Sequence, residues 1–202
     1  MRRTSRTGLL LAVLVAAMTL WACWIPENFD VKVEINKDGS YTFTYDGTLT
    51  YALALAAAAK GELSAKDEAE LTKDADELRR ESGFKKVEYQ GKGRYKVYAE
   101  RSGKSGEPLY FISREMAFFT ILPKDNHTLE VAAVRPKKAD VDQLNSIGAK
   151  FEGTLSVSVP FGFKVVKENA DSKPMVFGLL GSYKWQIRTP DANPEIVVQL
   201  SP

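Results

Sequence analysis

The sequence predicts an α+β fold in which antiparallel hairpins are combined with one block of helices. Apolar and polar residues alternate along most of the chain after residue 28, which is the pattern of half-buried strands. Helical periodicity is confined to a block of two helices at about 51–82 and a short helix at about 139–147. Strands and helices therefore do not alternate as they do in parallel α/β folds, and a mostly antiparallel sheet is expected.

The first hairpin is predicted within residues 29–45. Residues 29–35 alternate apolar and charged side chains, and residues 41–45 continue the alternation with three aromatic side chains on one face. The turn falls at residues 36–39, because Gly39 is free to adopt a positive φ angle. Asp46-Gly47 marks either the end of the second strand or a bulge before a further short strand.

The helical block begins with residues 51–60, which are rich in alanine and apolar on nearly every side. We expect this helix to be buried or to cover the sheet. Gly61 ends it, and Ser64 with Asp67 forms the capping box of a second, charged helix that ends near Gly83. A narrow apolar stripe recurs along the second helix at Leu71, Ala75 and Leu78.

The rest of the chain is predicted to be mainly strands. A second hairpin joins residues 84–89 to 95–99, and a third joins residues 114–122 to 128–135. The short helix at 139–147 ends at Gly148. Four further strands follow, at residues 155–159, 163–167, 183–188 and 196–200.

The N-terminus has the order of a secretory signal peptide. Three arginines precede an apolar run from Leu9 to Ala17, and Leu20-Trp21-Ala22-Cys23 closes the segment. Leucine three positions before the only cysteine, and alanine directly before it, resemble the lipobox of bacterial lipoproteins. That resemblance implies that Cys23 becomes the lipidated first residue of the mature chain. Two alternatives stay open, an uncleaved membrane-spanning signal anchor and a buried structural cysteine.

The predicted domain organisation follows from this segment. Residues 1–22 form the signal peptide, residues 23–27 a lipid-anchored tether, and residues 28–202 a single α+β envelope domain. The resemblance implies export across the inner membrane and anchoring at the cell envelope. Trp24, standing where aspartate would follow the cysteine, resembles sorting to the periplasmic face of the outer membrane if the host has two membranes.

Composition limits the classes of partner. The three arginines of the signal segment account for the excess of basic side chains, and without them acidic residues outnumber basic ones by one. This balance argues against nucleic acid as a partner, because proteins that bind it carry a basic face. No second apolar run of about 18 residues follows, so we expect the body to be soluble and to hang from its N-terminus. With 44% hydrophobic residues it builds a core without disulfides.

The layout of the mature chain resembles that of the LppM-type bacterial lipoproteins. The resemblance rests on the lipobox, an immediate hairpin with Asp38-Gly39-Ser40, a helical stretch, and a terminal part with Pro160, Asn169-Ala170 and Tyr183-Lys184-Trp185. It implies a domain tethered to the envelope and brings no catalytic motif. No site residue is therefore carried over.

No catalytic, cofactor-binding or metal-binding residue is predicted. Ser102-Gly103-Lys104-Ser105 resembles a phosphate loop, but Tyr98 stands where that motif needs glycine. His127 is the only histidine, and its place in a predicted turn favours a solvated side chain over a metal ligand or triad base. Acidic residues concentrate on the second helix, where charges are usually a solvated face.

Aromatic side chains form the largest cluster of one kind along the predicted strands. We expect them to be mainly core, or else to line a pocket for a hydrophobic ligand. They are Tyr41, Phe43, Tyr45, Tyr89, Tyr95, Tyr98, Tyr110, Phe111, Phe118, Phe119, Tyr183 and Trp185.

Three hypotheses about function therefore stand. The first is a non-enzymatic lipoprotein that binds an envelope protein or a hydrophobic ligand such as a lipid. The second is an assembly accessory without a small ligand. The third is a hydrolase with two convergent carboxylates.

Overall fold

The computed structural model describes residues 24–114, 117–124, 127–133, 138–175, 181–189 and 192–200. Within these residues the chain forms two β-sheets, of six and five strands. Among the described residues, eleven strands stand against three helices. The α+β prediction is therefore wrong, and the fold is mostly β. The two sheets cover each other's apolar face, so the helices are not needed as the second layer that the prediction assigned to them.

The strands are, in chain order, β1 (Trp24–Ile35), β2 (Tyr41–Tyr51), β3 (Phe84–Gly91), β4 (Arg94–Gly103), β5 (Leu109–Phe111), β6 (Phe119–Lys124), β7 (Thr128–Ala133), β8 (Gly153–Ser158), β9 (Lys164–Glu168), β10 (Tyr183–Ile187) and β11 (Glu195–Gln199).

Strand β1 lies inside the first sheet, whose order is β10-β8-β1-β2-β4-β3. It pairs antiparallel with β2 and parallel with β8, which is far from it in the sequence. The ladder to β2 shifts register between Glu27 and Asp30, where Asn28 has a φ of 47°. This β-bulge lets the strand continue past the irregularity to Trp24. The second sheet has the order β5-β6-β7-β11-β9.

The core lies between the two sheets and is rich in aromatic side chains. Phe111 of β5 approaches Phe43 and Tyr45 of β2, with ring centroids 5.0 and 4.6 Å apart. Phe29 of β1 meets Phe119 of β6 edge-on at 5.3 Å. Contacts of this geometry stabilise a pair beyond the area it buries. The apolar side chains of the alternating pattern thus face inward, between the two packed sheets.

The helices are α1 (Ala52–Lys60), α2 (Ala65–Arg80) and α3 (Lys138–Ser146). The capping box of Ser64 and Asp67 is confirmed at the start of α2. Helix α2 packs beside β3 through its buried Leu71 and Ala75. Gly61 is the C-cap of α1 and has a φ of 73°. Glycine adopts this left-handed conformation without strain.

The three predicted hairpins are confirmed as the pairs β1/β2, β3/β4 and β6/β7. Several boundaries differ from the prediction. Strand β6 begins at Phe119 rather than at residue 114, and the short strand β5 was not predicted. Strand β1 begins at Trp24, so residues 24–27 belong to the sheet and do not form a free tether.

Candidate functional site

The predicted lipidation residue, Cys23, and the signal segment 1–22 lie outside the described residues. Trp24, the residue after Cys23, is the first of β1 and pairs with Tyr51, the last of β2. Helix α1 starts directly after Tyr51, and the turn at residues 91–93 lies against it. We call the end of the first sheet formed by Trp24, helix α1 and this turn the Trp24 end.

Aromatic rings hold Trp24 in place. Its ring lies 5.7 Å from that of Tyr51 and 5.2 Å, edge-on, from that of Tyr95. Tyr89 continues the cluster at 4.9 Å from Tyr95. These contacts fix the first residue after the predicted lipidation site to the body of the fold.

Hydrogen bonds connect the turn at residues 91–93 to helix α2. The Tyr89 hydroxyl donates to the Glu68 carboxylate, which also accepts from the Lys92 backbone N–H at 3.1 Å. Tyr95 donates to the Leu71 carbonyl at 2.9 Å. Burial, together with the acceptor Glu68, raises the pKa of Tyr89 to about 12. The turn is therefore held rigidly at the Trp24 end.

Gly93 is required where this turn meets α1. Its φ is +74°, and a Cβ there would lie 2.5 Å from the Cβ of Ala54. Any other residue would force α1 away from the turn, because such a distance is far below van der Waals contact.

Glu27 is a buried carboxylate just beyond the Trp24 end. Its side chain is 1% exposed. Arg94 Nε donates to it at 2.9 Å, and the Thr50 hydroxyl and the Lys150 backbone N–H donate as well. Burial alone would raise the pKa of Glu27, but these donors outweigh it and hold the pKa below its ordinary value. The carboxylate thus joins β1 to β2, β4 and the segment before β8.

Helix α1 is only partly buried. Ala54 and Leu55 face the protein, with 6% and 5% of their surface exposed. Leu53, Ala56 and Ala57 keep part of their surface in solvent. The expectation that this apolar helix is buried or covers the sheet is therefore met on one side of the helix only. The other side of α1 exposes alkyl groups.

The aromatic cluster read from the sequence is mainly core. Tyr41, Phe43, Tyr45, Phe111 and Phe119 are almost fully buried and pack against one another between the sheets. The hydroxyl groups of the two tyrosines are hydrogen-bonded, since Tyr41 and Tyr45 each donate to a backbone carbonyl at 2.8 Å. The core interpretation is confirmed for these residues. Tyr98 differs, with 37% of its surface exposed.

Three surface clefts lie elsewhere in the described residues. One of about 450 Å³ is lined by Pro123, His127 and Leu200. A second of about 390 Å³ is lined by Tyr41, Arg101 and Arg114, among others, and a third of about 540 Å³ by residues that include Lys150, Glu152 and Arg188.

None of these clefts brings two carboxylates together in its described lining. The second holds Glu107 and the third holds Glu152, each as its one carboxylate. Among the described residues there is also no group of three or more His, Cys, Asp and Glu side chains that could hold a metal. His127 lies beside β7 with a φ of 54° and its carbonyl accepts from Leu200. These three clefts thus offer no carboxylate pair for the hydrolase hypothesis.

Ser102 and Gly103 end strand β4, and residues 104–105 follow in a turn that leads to β5 and not to a helix. A phosphate loop needs a helix at that position. The rejection of the phosphate-loop interpretation agrees with this geometry. Within the described residues, no helix has the length and apolar character needed to cross a bilayer.

Comparisons with known proteins give one solved structure to report. No family model matches the chain, and no curated protein matches it either. The folded domain of LppM from Mycobacterium tuberculosis is similar at 13% sequence identity and a TM-score of 0.37, over 90% of this chain and 95% of that domain. This is the family that the sequence layout resembles. The similarity transfers no residue role, so the proposals below rest on this chain's own residues.

Sequence reasoning missed the Trp24 end and the Glu27 cluster. A signal was present, since Ile25 and Glu27 are an apolar and a charged residue that precede the strand pattern of residues 29–35. Pro26 and the bulge at Asn28 interrupt the alternation of apolar and polar residues. Because residues 24–27 directly follow a lipobox cysteine, they were predicted to form a tether. The partners of Glu27 are distant in sequence, Lys150 lying 123 residues away.

Proposed function

We propose that this protein is a bacterial lipoprotein anchored through Cys23 and that its β-rich domain is a non-enzymatic binding or accessory module at the cell envelope. The observation that carries the proposal is the lipobox-like Leu20-Trp21-Ala22-Cys23 after a basic head and an apolar run. Acylation gives the lone cysteine a role, and two or more acyl chains anchor a protein stably where one chain does not.

The packing of the domain supports the proposal. The core is built from apolar and aromatic side chains between two sheets, and such a domain folds without the thiol. Anchoring on the periplasmic face of the outer membrane, in a host with two membranes, is part of this proposal.

The described geometry favours an accessory or protein-binding role over lipid carriage. Five of the aromatic side chains that would line a lipid pocket are buried between the sheets instead: Tyr41, Phe43, Tyr45, Phe111 and Phe119. We therefore propose a partner in the envelope, bound by the surface of the domain, and no small-molecule cofactor.

The proposal is tested by metabolic labelling with an alkyne-bearing palmitate in a bacterial host. The wild-type chain is expected to take up the label and to run at the mass of the processed form. Cys23→Ser is expected to take up none and to accumulate as the precursor, because the substituted residue has no thiol to acylate. Thr19→Ser is the matched control, since it alters the same segment and keeps the thiol.

Two results would refute the assignment. Unchanged labelling of Cys23→Ser would place the acyl chain elsewhere. A wild-type chain that takes up no label and stays in the membrane at its full mass would show that residues 1–22 are an uncleaved anchor.

A further inference from the structure

Helix α1 presents an apolar face to its surroundings. Ala54 and Leu55 pack inward, whereas Leu53, Ala56 and Ala57 fall on the other side at i, i+3 and i+4 and are partly exposed. The first charge along the helix is Lys60, its last residue. A surface helix normally places polar side chains outward, so this face is unusual for contact with water.

The position of this face relates it to the anchor. Trp24 pairs with Tyr51, and α1 starts at the next residue. Trp24 is the described residue next in sequence to the proposed anchor, and consecutive Cα atoms of a chain are about 3.8 Å apart. A helix of nine residues is about 14 Å long. The whole of α1 is therefore held within about 20 Å of Trp24.

We infer that the outward face of α1, together with Trp24, contacts the bilayer in which the chain is anchored, so that the Trp24 end faces the membrane. The inference rests on the proposed function, because it takes Cys23 as the anchored residue. Residues 24–27 are part of β1, so they do not form a flexible linker between the proposed anchor and the sheet.

Two physical effects favour this contact. Trp and Tyr concentrate at membrane–water interfaces, where the ring is apolar and its N–H or O–H stays hydrated, and Trp24 and Tyr51 are both partly exposed. The covalent anchor also holds α1 at a high effective concentration next to the lipid, so even a short apolar helix inserts without high affinity of its own.

Charges at the rim are compatible with lipid headgroups. Lys60 is exposed at the end of α1, and Lys92 is exposed in the turn at residues 91–93. The carboxylate of Glu68 is engaged by Tyr89 and by the Lys92 N–H, and Glu62 is exposed next to Gly61. Because the rim is of mixed sign, apolar insertion and not charge should dominate the contact. The contact is therefore expected on zwitterionic as well as anionic bilayers.

The experiment measures how deeply α1 lies in the lipid. The full chain is expressed with its signal segment, purified and reconstituted into vesicles of phosphatidylethanolamine and phosphatidylglycerol, and separately of phosphatidylcholine. Leu53→Cys and Ala57→Cys are each labelled with an environment-sensitive dye, and nitroxide-bearing lipids serve as quenchers. Lys37→Cys is the matched control, because the exposed Lys37 lies in the turn at the other end of β1, about 36 Å from Trp24.

Labels at positions 53 and 57 are expected to shift to the blue and to be quenched several-fold more strongly than the label at position 37, in both lipid mixtures. Quenching at 53 and 57 no stronger than at 37 would overturn the membrane contact. The second position keeps the test valid if Leu53→Cys disturbs the fold.

The wild-type chain distinguishes this failure from a failure of the proposed function. Once Cys23 is acylated, the wild-type chain has no free thiol and takes up no dye. Dye on the wild-type chain would overturn the lipid anchor at Cys23, whatever the quenching shows. Unlabelled wild type with equal quenching at positions 53 and 37 would overturn the membrane contact alone.

Discussion

Removing the Glu27 carboxylate should destabilise the domain strongly. In Glu27→Ala, Arg94, Thr50 and the Lys150 N–H lose a shared acceptor that is 1% exposed. Breaking a buried ion pair by removing one partner costs about 3–5 kcal/mol. Arg94 keeps 28% of its side chain exposed and regains some hydration, so the lower part of this range is expected.

The effect is measured by urea unfolding and by thermal melts followed by circular dichroism, on a chain that begins at Trp24. A loss of about 3 kcal/mol corresponds to a fall in Tm of roughly 6–12 °C for a domain of this size. Glu34→Ala is the matched control, since Glu34 lies exposed in the same strand, and it should change stability by less than about 0.5 kcal/mol. A loss below about 1 kcal/mol in Glu27→Ala would refute the argument that the carboxylate is a buried junction.

The same residue makes a prediction about pH. The donors hold the folded-state pKa of Glu27 below its ordinary value of 4.5. Its stabilisation is therefore complete above the unfolded-state pKa and is lost as the pH falls through the lower folded-state pKa. Glu27→Gln should be less stable than the wild type at neutral pH, and the difference should shrink on acidification. A difference that stays constant between neutral pH and pH 3 would contradict the assignment.

Three further outcomes are expected. Leu55→Ala should cost about 2–3 kcal/mol, whereas Leu53→Ala should cost less than about 1 kcal/mol because its side chain is partly exposed; equal losses in urea unfolding would contradict the assigned faces of α1. A chain beginning at Trp24 should melt cooperatively with chelator and reductant present. A chain beginning at Asn28 lacks the Glu27 junction, so its Tm should be lower by about 6 °C or more. Identical melts of the two chains would show that residues 24–27 add no stability. A fluorescent fatty acid titrated into the domain should show no saturable binding at micromolar concentration, and saturation would restore the lipid-carrier hypothesis.

Local features of the fold could be predicted from the sequence because their causes are local. The capping box of Ser64 and Asp67 and the helix end at Gly61 depend on residues within one turn of each other. Hairpins such as β3/β4 depend on a short turn between two alternating runs.

The arrangement of the strands could not be predicted in this way. Alternation shows which side chains turn inward, but a second sheet and a layer of helices both satisfy the same pattern. The parallel pairing of Phe29 with Gly153 joins segments more than 120 residues apart, and nothing local marks it. The choice of two sheets over a sheet covered by helices therefore lay in long-range contacts.

The candidate site likewise has a part that the sequence predicts and a part that depends on long-range contacts. The signal for anchoring at Cys23 is a short contiguous motif, whereas the Trp24 end is assembled from β1, helix α1 and the turn between β3 and β4. Tyr95 reaches Trp24 only because β4 pairs with β2, and Lys150 reaches Glu27 only because the segment before β8 lies beside β1. Such proximity becomes visible only when the fold is known.

The inner position of β1 has a mechanical consequence. If the chain is anchored at Cys23 as proposed, a pull on the anchor would act at the start of β1, whose ladder bonds to β2 run perpendicular to the strand axis. Tension between the membrane and a partner held elsewhere on the domain would then load many hydrogen bonds in shear at once, and would not peel them apart one by one. Strand β1 is flanked on both sides, by β2 and β8, so two ladders would share this force.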